Sequence, residues 1–378
     1  MSNPFTPDVP VAPPELIDRT TELERLFELV RGGHNSRLSA PRRFGKTSVL
    51  RALGELVEGD GMNWVHVDFF GVLSPADVAA RIELAYVDAL KGPVASWFAA
   101  LRRRWRVKGR GGVPGAGVEV ESLSPQEAAD ALHELLDLPK AIHDRSGTPT
   151  VVAFDEFQEV LSAGGRMDGL IRSRIQHHRH EAAYVFCGSH PGLMAELFSD
   201  KERPLYGQAR RVELGTLPDE ELAKFIDDCF RATGREVGIA LDQLLDWVRG
   251  HPQRAILMAH HLWNATPPET TAGPEEWEAA VRDAFKELQE PFERYWEKLS
   301  PNERRVLAAA AWTGRWGGGT SLLAKDTLAR FQLSKSSARD TSRSLVRSGD
   351  LLVEDSSHYF IVDPLLEAWI ASGRRPPF

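Results

Sequence analysis

The chain has 378 residues, 42% of them hydrophobic and 26% charged, and carries a net charge of −8. Its length suits two or three domains, and its composition is that of an ordinary globular protein. The acidic balance excludes a protein that coats nucleic acid over its whole surface. Two cysteines, Cys187 and Cys229, argue against a disulfide framework and fit a reducing compartment. No apolar run approaches the ~20 residues that span a bilayer. The N-terminus lacks the basic-then-apolar build of a secretory leader. The expected setting is therefore cytoplasmic, with no membrane partner.

Residues 1–14 hold five prolines and read as an extended N-terminal arm. Leu23, Leu26, Phe27 and Val30 then mark a helix, with Thr21 and Glu24 as its expected capping box and Gly32-Gly33 as its stop. Next comes Ser-Ala-Pro-Arg-Arg-Phe-Gly-Lys-Thr-Ser, residues 39–48, which has the spacing of a phosphate-binding loop. A loop at a helix start aims free N–H groups at an anion, and the helix dipole adds positive charge. Ala40 sits where the first glycine is usual and fits only with a negative φ. Pro41, Arg42, Arg43 and Phe44 complete the loop, and Gly45 lets phosphate approach the backbone. Lys46 is expected to reach the β- and γ-phosphates and Thr47 to coordinate Mg²⁺, with Ser48 closing the loop. Val49, Leu50, Leu53, Leu56 and Val57 share one face of the helix that should follow.

Trp64 to Phe69 alternates as a strand, and residues 76–90 form an amphipathic helix. Residues 92–125 are a basic and Gly-rich insertion, with Arg102, Arg103, Arg104, Arg106, Lys108 and Arg110 crowded together. A patch for an anion and a solvated helix face both fit this run. A single helix is expected over 125–145. Thr150 to Gln158 reads as a buried parallel strand that ends in two carboxylates. At that sheet edge Asp155 would hold Mg²⁺ and Glu156 would polarise an attacking water. A helix is expected over 167–181, then a strand at Tyr184 to Cys187. Ser189, just past that strand, is a candidate γ-phosphate contact, although an ordinary strand-to-loop turn accounts for it equally.

Residues 217–298 are helical in pattern. Arg254 lies just inside a helix after Gly250-His251-Pro252, where the dipole disfavours a cation, so a γ-phosphate partner is a candidate. Residues 299–378 read as three helices and a hairpin, the order of a winged helix. Ser300 and Ser334 are its expected caps. The segment holds 11 basic and 8 acidic side chains, opposite in sign to the whole chain. Lys335, Arg339, Arg343 and Arg347 would line its third helix. DNA binding and protein docking both remain open for it.

Several stretches occur together in order: Ile17-Asp18-Arg19, residues 40–48, Phe154 to Gln158, Cys187-Gly188-Ser189, Pro204-Leu205-Tyr206-Gly207 and Gly250-His251-Pro252. In this the chain resembles the archaeal-type ATPase family, prokaryotic members of the STAND branch of AAA+ proteins. The resemblance covers about residues 15–370. It implies an α/β P-loop fold with a five-stranded parallel sheet (15–216), a helical lid (217–298) and a C-terminal winged-helix domain (299–378). It also implies ATP and Mg²⁺ as ligands. Gln208 stands where such proteins commonly carry an arginine; Arg210 or Arg211 is the candidate replacement. The function expected is an ATP-binding, ATP-hydrolysing switch that moves lid and winged helix, with a protein partner or self-assembly. The alternative is a DNA-binding regulator tuned by ATP with little turnover.

Overall fold

A computed structural model of the chain describes residues 2–7, 9, 16–108, 125–164, 166–314, 320–353 and 358–374, without the side chains of 104–108 and 125–126. Helix α1 (Thr20–Arg31) leads into β1 (Ser36–Ser39), the loop and α2 (Lys46–Gly59). Then come β2 (Asn63–Asp68), α3 (Pro75–Ala89), α4 (Gly92–Lys108), α5 (Pro125–Leu136) and α6 (Leu138–Ser146). β3 (Thr150–Asp155), α7 (Met167–Ile175), β4 (Ala182–Gly188), α8 (Pro191–Ser199) and β5 (Arg210–Glu213) complete the first half.

The five strands form one parallel sheet in the order β2-β3-β4-β1-β5. Side chains alternate across it. Val152, Phe154, Tyr184 and Phe186 face a core with α3, α5 and α7. Val151, Ala153, Val185 and Cys187 face another with α1 and α2. Helices cover both faces, so β3 and β4 are buried at every residue and read as unbroken apolar runs. Because all strands run the same way, the residues that follow β1, β3 and β4 emerge on one edge.

Helices α9 (Asp219–Ala232), α10 (Ala240–Val248), α11 (Pro252–Ala265) and α12 (Pro274–Lys298) follow. The C-terminal segment has α13 (Pro301–Thr313), α14 (Lys325–Arg330), α15 (Lys335–Ser348), the antiparallel hairpin β6 (Leu351–Val353) with β7 (Tyr359–Ile361), and α16 (Pro364–Ala371). Ser300 and Ser334 cap α13 and α15 as expected, accepting from the amides of Glu303 and Ser337. One apolar core joins α9–α12 to the C-terminal segment, so Phe285 and Trp369 belong to the same cluster.

Three expectations are corrected. The Thr21–Glu24 capping box is absent: α1 already starts at Thr20, and Arg19 at its N-cap makes no side-chain cap. Its guanidinium instead donates to the Gly215 carbonyl at 2.7 Å and pairs with Glu22. The single helix over 125–145 is two, because Pro139 lacks the amide that would continue α5. The helix over 167–181 stops at Ile175. His178 leaves it to become buried and hydrogen-bonded to Tyr184.

Of the basic cluster, Arg102 pairs with Glu83. The side chains of Arg104, Arg106 and Lys108, and all of Arg110, lie outside the described residues. Parts of the N-terminal arm do too, at 1, 8 and 10–14. The described part of the arm docks on α11. Asn3 donates to the His260 carbonyl at 3.0 Å, and Phe5 is buried 5.7 Å from the Phe230 ring.

Candidate active site

The residues after β1 build the phosphate loop. Ala40 is buried and keeps a negative φ, so it makes the turn without glycine. Gly45, with φ +86°, is the N-cap of α2. A Cβ there would meet nothing within 4 Å, so the backbone angle and not crowding demands glycine. The first-turn amides of α2 have no partner within the helix and are free for an anion. Lys46 is buried and donates to its own loop's carbonyls, Ala40 at 3.2 Å and Pro41 at 2.9 Å. Burial lowers its pKa, against the pull of Cys187, Glu156 and Asp155, which favour the charged form. Lys46 and the β3 carboxylates therefore share one edge and one field.

Asp155 is buried at the end of β3. Burial alone would raise its carboxyl. The His66 imidazole 3.4 Å away, the Cys187 thiol and the Glu156 amide hold it below the ordinary carboxylate range. Asp155 is thus ionised near neutrality. With the Thr47 hydroxyl on the cleft, it offers the hard oxygen donors that Mg²⁺ takes.

Glu156 follows β3 in the left-handed backbone region, with φ +48°. Its Oε2 accepts from Ser189 Oγ at 2.5 Å and from Gln158 Nε2. Gln158 also donates to Ser189 Oγ at 3.4 Å. A Cβ on Gly188 would lie 2.6 Å from Gln158 Oε1, so glycine there leaves room for this network.

A cleft of about 320 Å³ runs from these groups to an apolar end. Arg42, Arg43, Phe44, Gly45, Lys46, Thr47, Ser48 and Glu156 line one part, and Leu16, Ile17, Leu217, Pro252 and Ile256 line the other. Thr6, Pro7 and Val9 of the docked arm add a wall. Arg254 does not line this cleft. It lines an adjoining cavity with Arg42, Arg43 and His190. There its Nε donates to Asp363 at 2.9 and 3.0 Å. Arg210 and Arg211 lie on the exposed edge strand β5, with Arg211 paired to Glu213, and neither lines the cleft. Gln208 only reaches the Tyr206 carbonyl, at 3.4 Å.

His251, at the start of α11, joins that helix to the loop. It is buried, its ring meets Phe44 edge-on at 4.9 Å, and its Nδ1 accepts from the Arg254 amide. Burial, aided by Arg254 and Arg43 and opposed by Asp363, lowers its pKa to about 4. An unfolded histidine titrates near ~6.5. Between these values the unfolded chain binds a proton that the folded chain does not. Stability is therefore full above the upper value and falls as pH drops toward the lower, by roughly 3 kcal/mol in all. Thermal unfolding at pH 7 and 4.5 checks this, and His251→Asn should remove most of the difference.

No family model and no curated protein matches the chain. Solved structures do. A Walker-type ATPase of Pyrococcus abyssi superposes with a TM-score of 0.66 at 19% identity, covering 94% of this chain and 96% of that one. The Aeropyrum pernix ORC2 protein, in its ADPNP–ADP complexes, gives 0.59 at 16% identity, with 97% of each chain covered. Its ADP form gives 0.54 at 15% identity, covering 97% and 98%. The chain shares the fold of these proteins. On this fold the residues after β1 and β3 share an edge, and the sequence motifs at 39–48 and 155–156 fall there together.

Proposed function

We propose that the chain is a Mg-ATP-binding and ATP-hydrolysing molecular switch of the AAA+/STAND type, with residues 299–378 as a winged helix that moves with the lid. The observation that carries this is a single cleft lined by Lys46, Thr47 and Glu156, with Asp155 near enough to act on the Lys46 charge. Gly45 to Ser48 hold the phosphates, and Asp155 with Thr47 holds Mg²⁺, which would neutralise charge on the transferred phosphoryl group. Glu156 takes the proton of the attacking water, and Ser189 with Gln158 keeps its carboxylate aimed. Arg254 is the link between the lid and the C-terminal segment, through Asp363. Its pairing supports a role in transmitting lid position, and a direct phosphate contact would require that pair to open. Cys187 and Cys229 form no disulfide, which accords with action in the reducing cytoplasm.

A second reading, a DNA-binding regulator tuned by ATP, rests on Lys335, Arg339 and Arg343, which are exposed on α15. Arg347 at the end of that helix pairs with Glu196 on α8. A Cβ on Gly192 would come within 2.4 Å of the Arg347 Cα, so the two helices approach backbone to backbone. That packing favours docking over DNA as the use of this face. Titration with MgATP tests the proposal, since binding must appear and must depend on Lys46.

A further inference from the structure

Asp155 is approached from both strands that flank β3. From β4 comes the Cys187 thiol, and the Glu156 amide donates to Oδ1 at 2.9 Å. From β2 comes His66, whose Nε2 stands 3.4 Å from Oδ2. The His66 side chain is 34% exposed, yet Nε2 is buried and makes no completed hydrogen bond. This imidazole at the sheet edge thus keeps a ring nitrogen from water and holds it against the carboxylate. A buried N–H left unpaired is unfavourable, and the gap exceeds the about 2.7–3.2 Å of a good N–H···O bond. Hydrogen bonds at active sites are often long in the free protein and tighten when ligand arrives.

Resting on the nucleotide reading above, we propose that His66 is a positioning residue for the magnesium site. With its proton on Nε2 it donates to Asp155 Oδ2 when the ion is bound, and so fixes the direction of that carboxylate. Mg²⁺ demands near-octahedral geometry and takes few protein carboxylates, so the aim of each one matters. The hydrogen-bond partners of a metal-binding carboxylate set that aim, and losing one typically weakens metal binding about 10- to 100-fold. A donor to an ionised carboxylate is also a strong one. The register makes the contact diagonal, since Asp68 is level with Asp155 and His66 with Ala153. Asp68 instead accepts from the Phe70 amide at 2.8 Å. The β2 side chain that reaches Asp155 is therefore His66.

Calorimetry on the full chain measures ATP affinity in EDTA and then across a series of magnesium chloride concentrations. In the wild-type protein magnesium should tighten ATP binding. His66→Leu should bind metal-free ATP within about twofold of wild type and need roughly tenfold more magnesium for half of the tightening. His66→Gln can place its amide nitrogen where the imidazole Nε2 stands, and should return to within about threefold of wild type. His66→Asn carries the same amide one carbon short and should behave as the leucine variant does. It separates a placed donor from mere polarity, and it serves if His66→Leu does not fold, which thermal unfolding without ligand checks. A magnesium requirement unchanged in both His66→Leu and His66→Asn overturns the role of His66 and leaves the loop and Asp155 standing. So does one raised equally in His66→Gln, or a loss of affinity already complete without metal. Wild-type affinity that magnesium does not alter overturns the metal site at Asp155 and this inference with it. A wild-type protein that binds no ATP under either condition overturns the nucleotide reading as a whole.

Discussion

Replacing Glu156 by glutamine is expected to preserve ATP binding and to slow turnover by roughly 10²- to 10⁴-fold. The substitution keeps shape and removes basicity. Glutamine can present its amide oxygen to Ser189 Oγ and Gln158 Nε2, the two donors that now hold Glu156 Oε2. The left-handed backbone at position 156 is unaffected by the exchange, since both residues bear the same strain there. What the amide lacks is the ability to take a proton from water. Single-turnover hydrolysis measured beside the ATP dissociation constant separates the two effects. Unchanged hydrolysis at unchanged affinity would remove Glu156 from the reaction.

The second large effect is expected at Asp363. Burial would raise its carboxyl, but the Arg254 guanidinium, with His251 and the Leu366 amide, holds its pKa at about 2. Asp363 also caps α16, its Oδ1 accepting from the amides of Leu365 at 3.0 Å and Leu366 at 3.2 Å. Arg254 is 1% exposed, and its Nη1 already has no partner. Asp363→Ala would therefore leave a buried charge uncompensated and a helix start uncapped. The expected loss is roughly 3–5 kcal/mol in urea unfolding. Because removal of one partner is what leaves the charge stranded, Arg254→Met together with Asp363→Leu should recover much of that loss. A single variant as stable as wild type would mean that the pair does not hold the C-terminal segment to α11.

The parts of this molecule legible in the sequence are those written in consecutive residues. Residues 39–48 show the spacing of a phosphate loop, and the left-handed turn at Gly45 that this spacing requires is present in the fold. Asp155 and Glu156 stand out because β3 is covered on both faces and must be apolar up to the edge where ligands bind. Interactions across long separations left no such mark. Asp363 is 109 residues from Arg254, so the arginine read as a phosphate contact while its partner went unseen. Phe5 sits among prolines, and nothing local announces that its ring meets Phe225 and Phe230 of α9 while its carbonyl meets His260 of α11. The contacts of His66 with Asp155 and of Gln158 with Glu156 were also missed. A lone polar residue at a strand, turn or helix start has many ordinary explanations, and only the folded arrangement reveals which polar atoms lack a partner. The α1 cap failed for a related reason: Arg19 is claimed by Gly215, far away in the chain.

The central claim is that a magnesium–triphosphate sits between the loop at Lys46 and the carboxylate of Asp155. Calorimetric titration of the full chain with MgATP, beside Lys46→Ala, tests it most directly. The account predicts one site per chain in the wild-type protein, and affinity weakened at least tenfold in Lys46→Ala without loss of folding. Heat of binding that is absent in the wild-type protein, or identical in the two proteins, would contradict it.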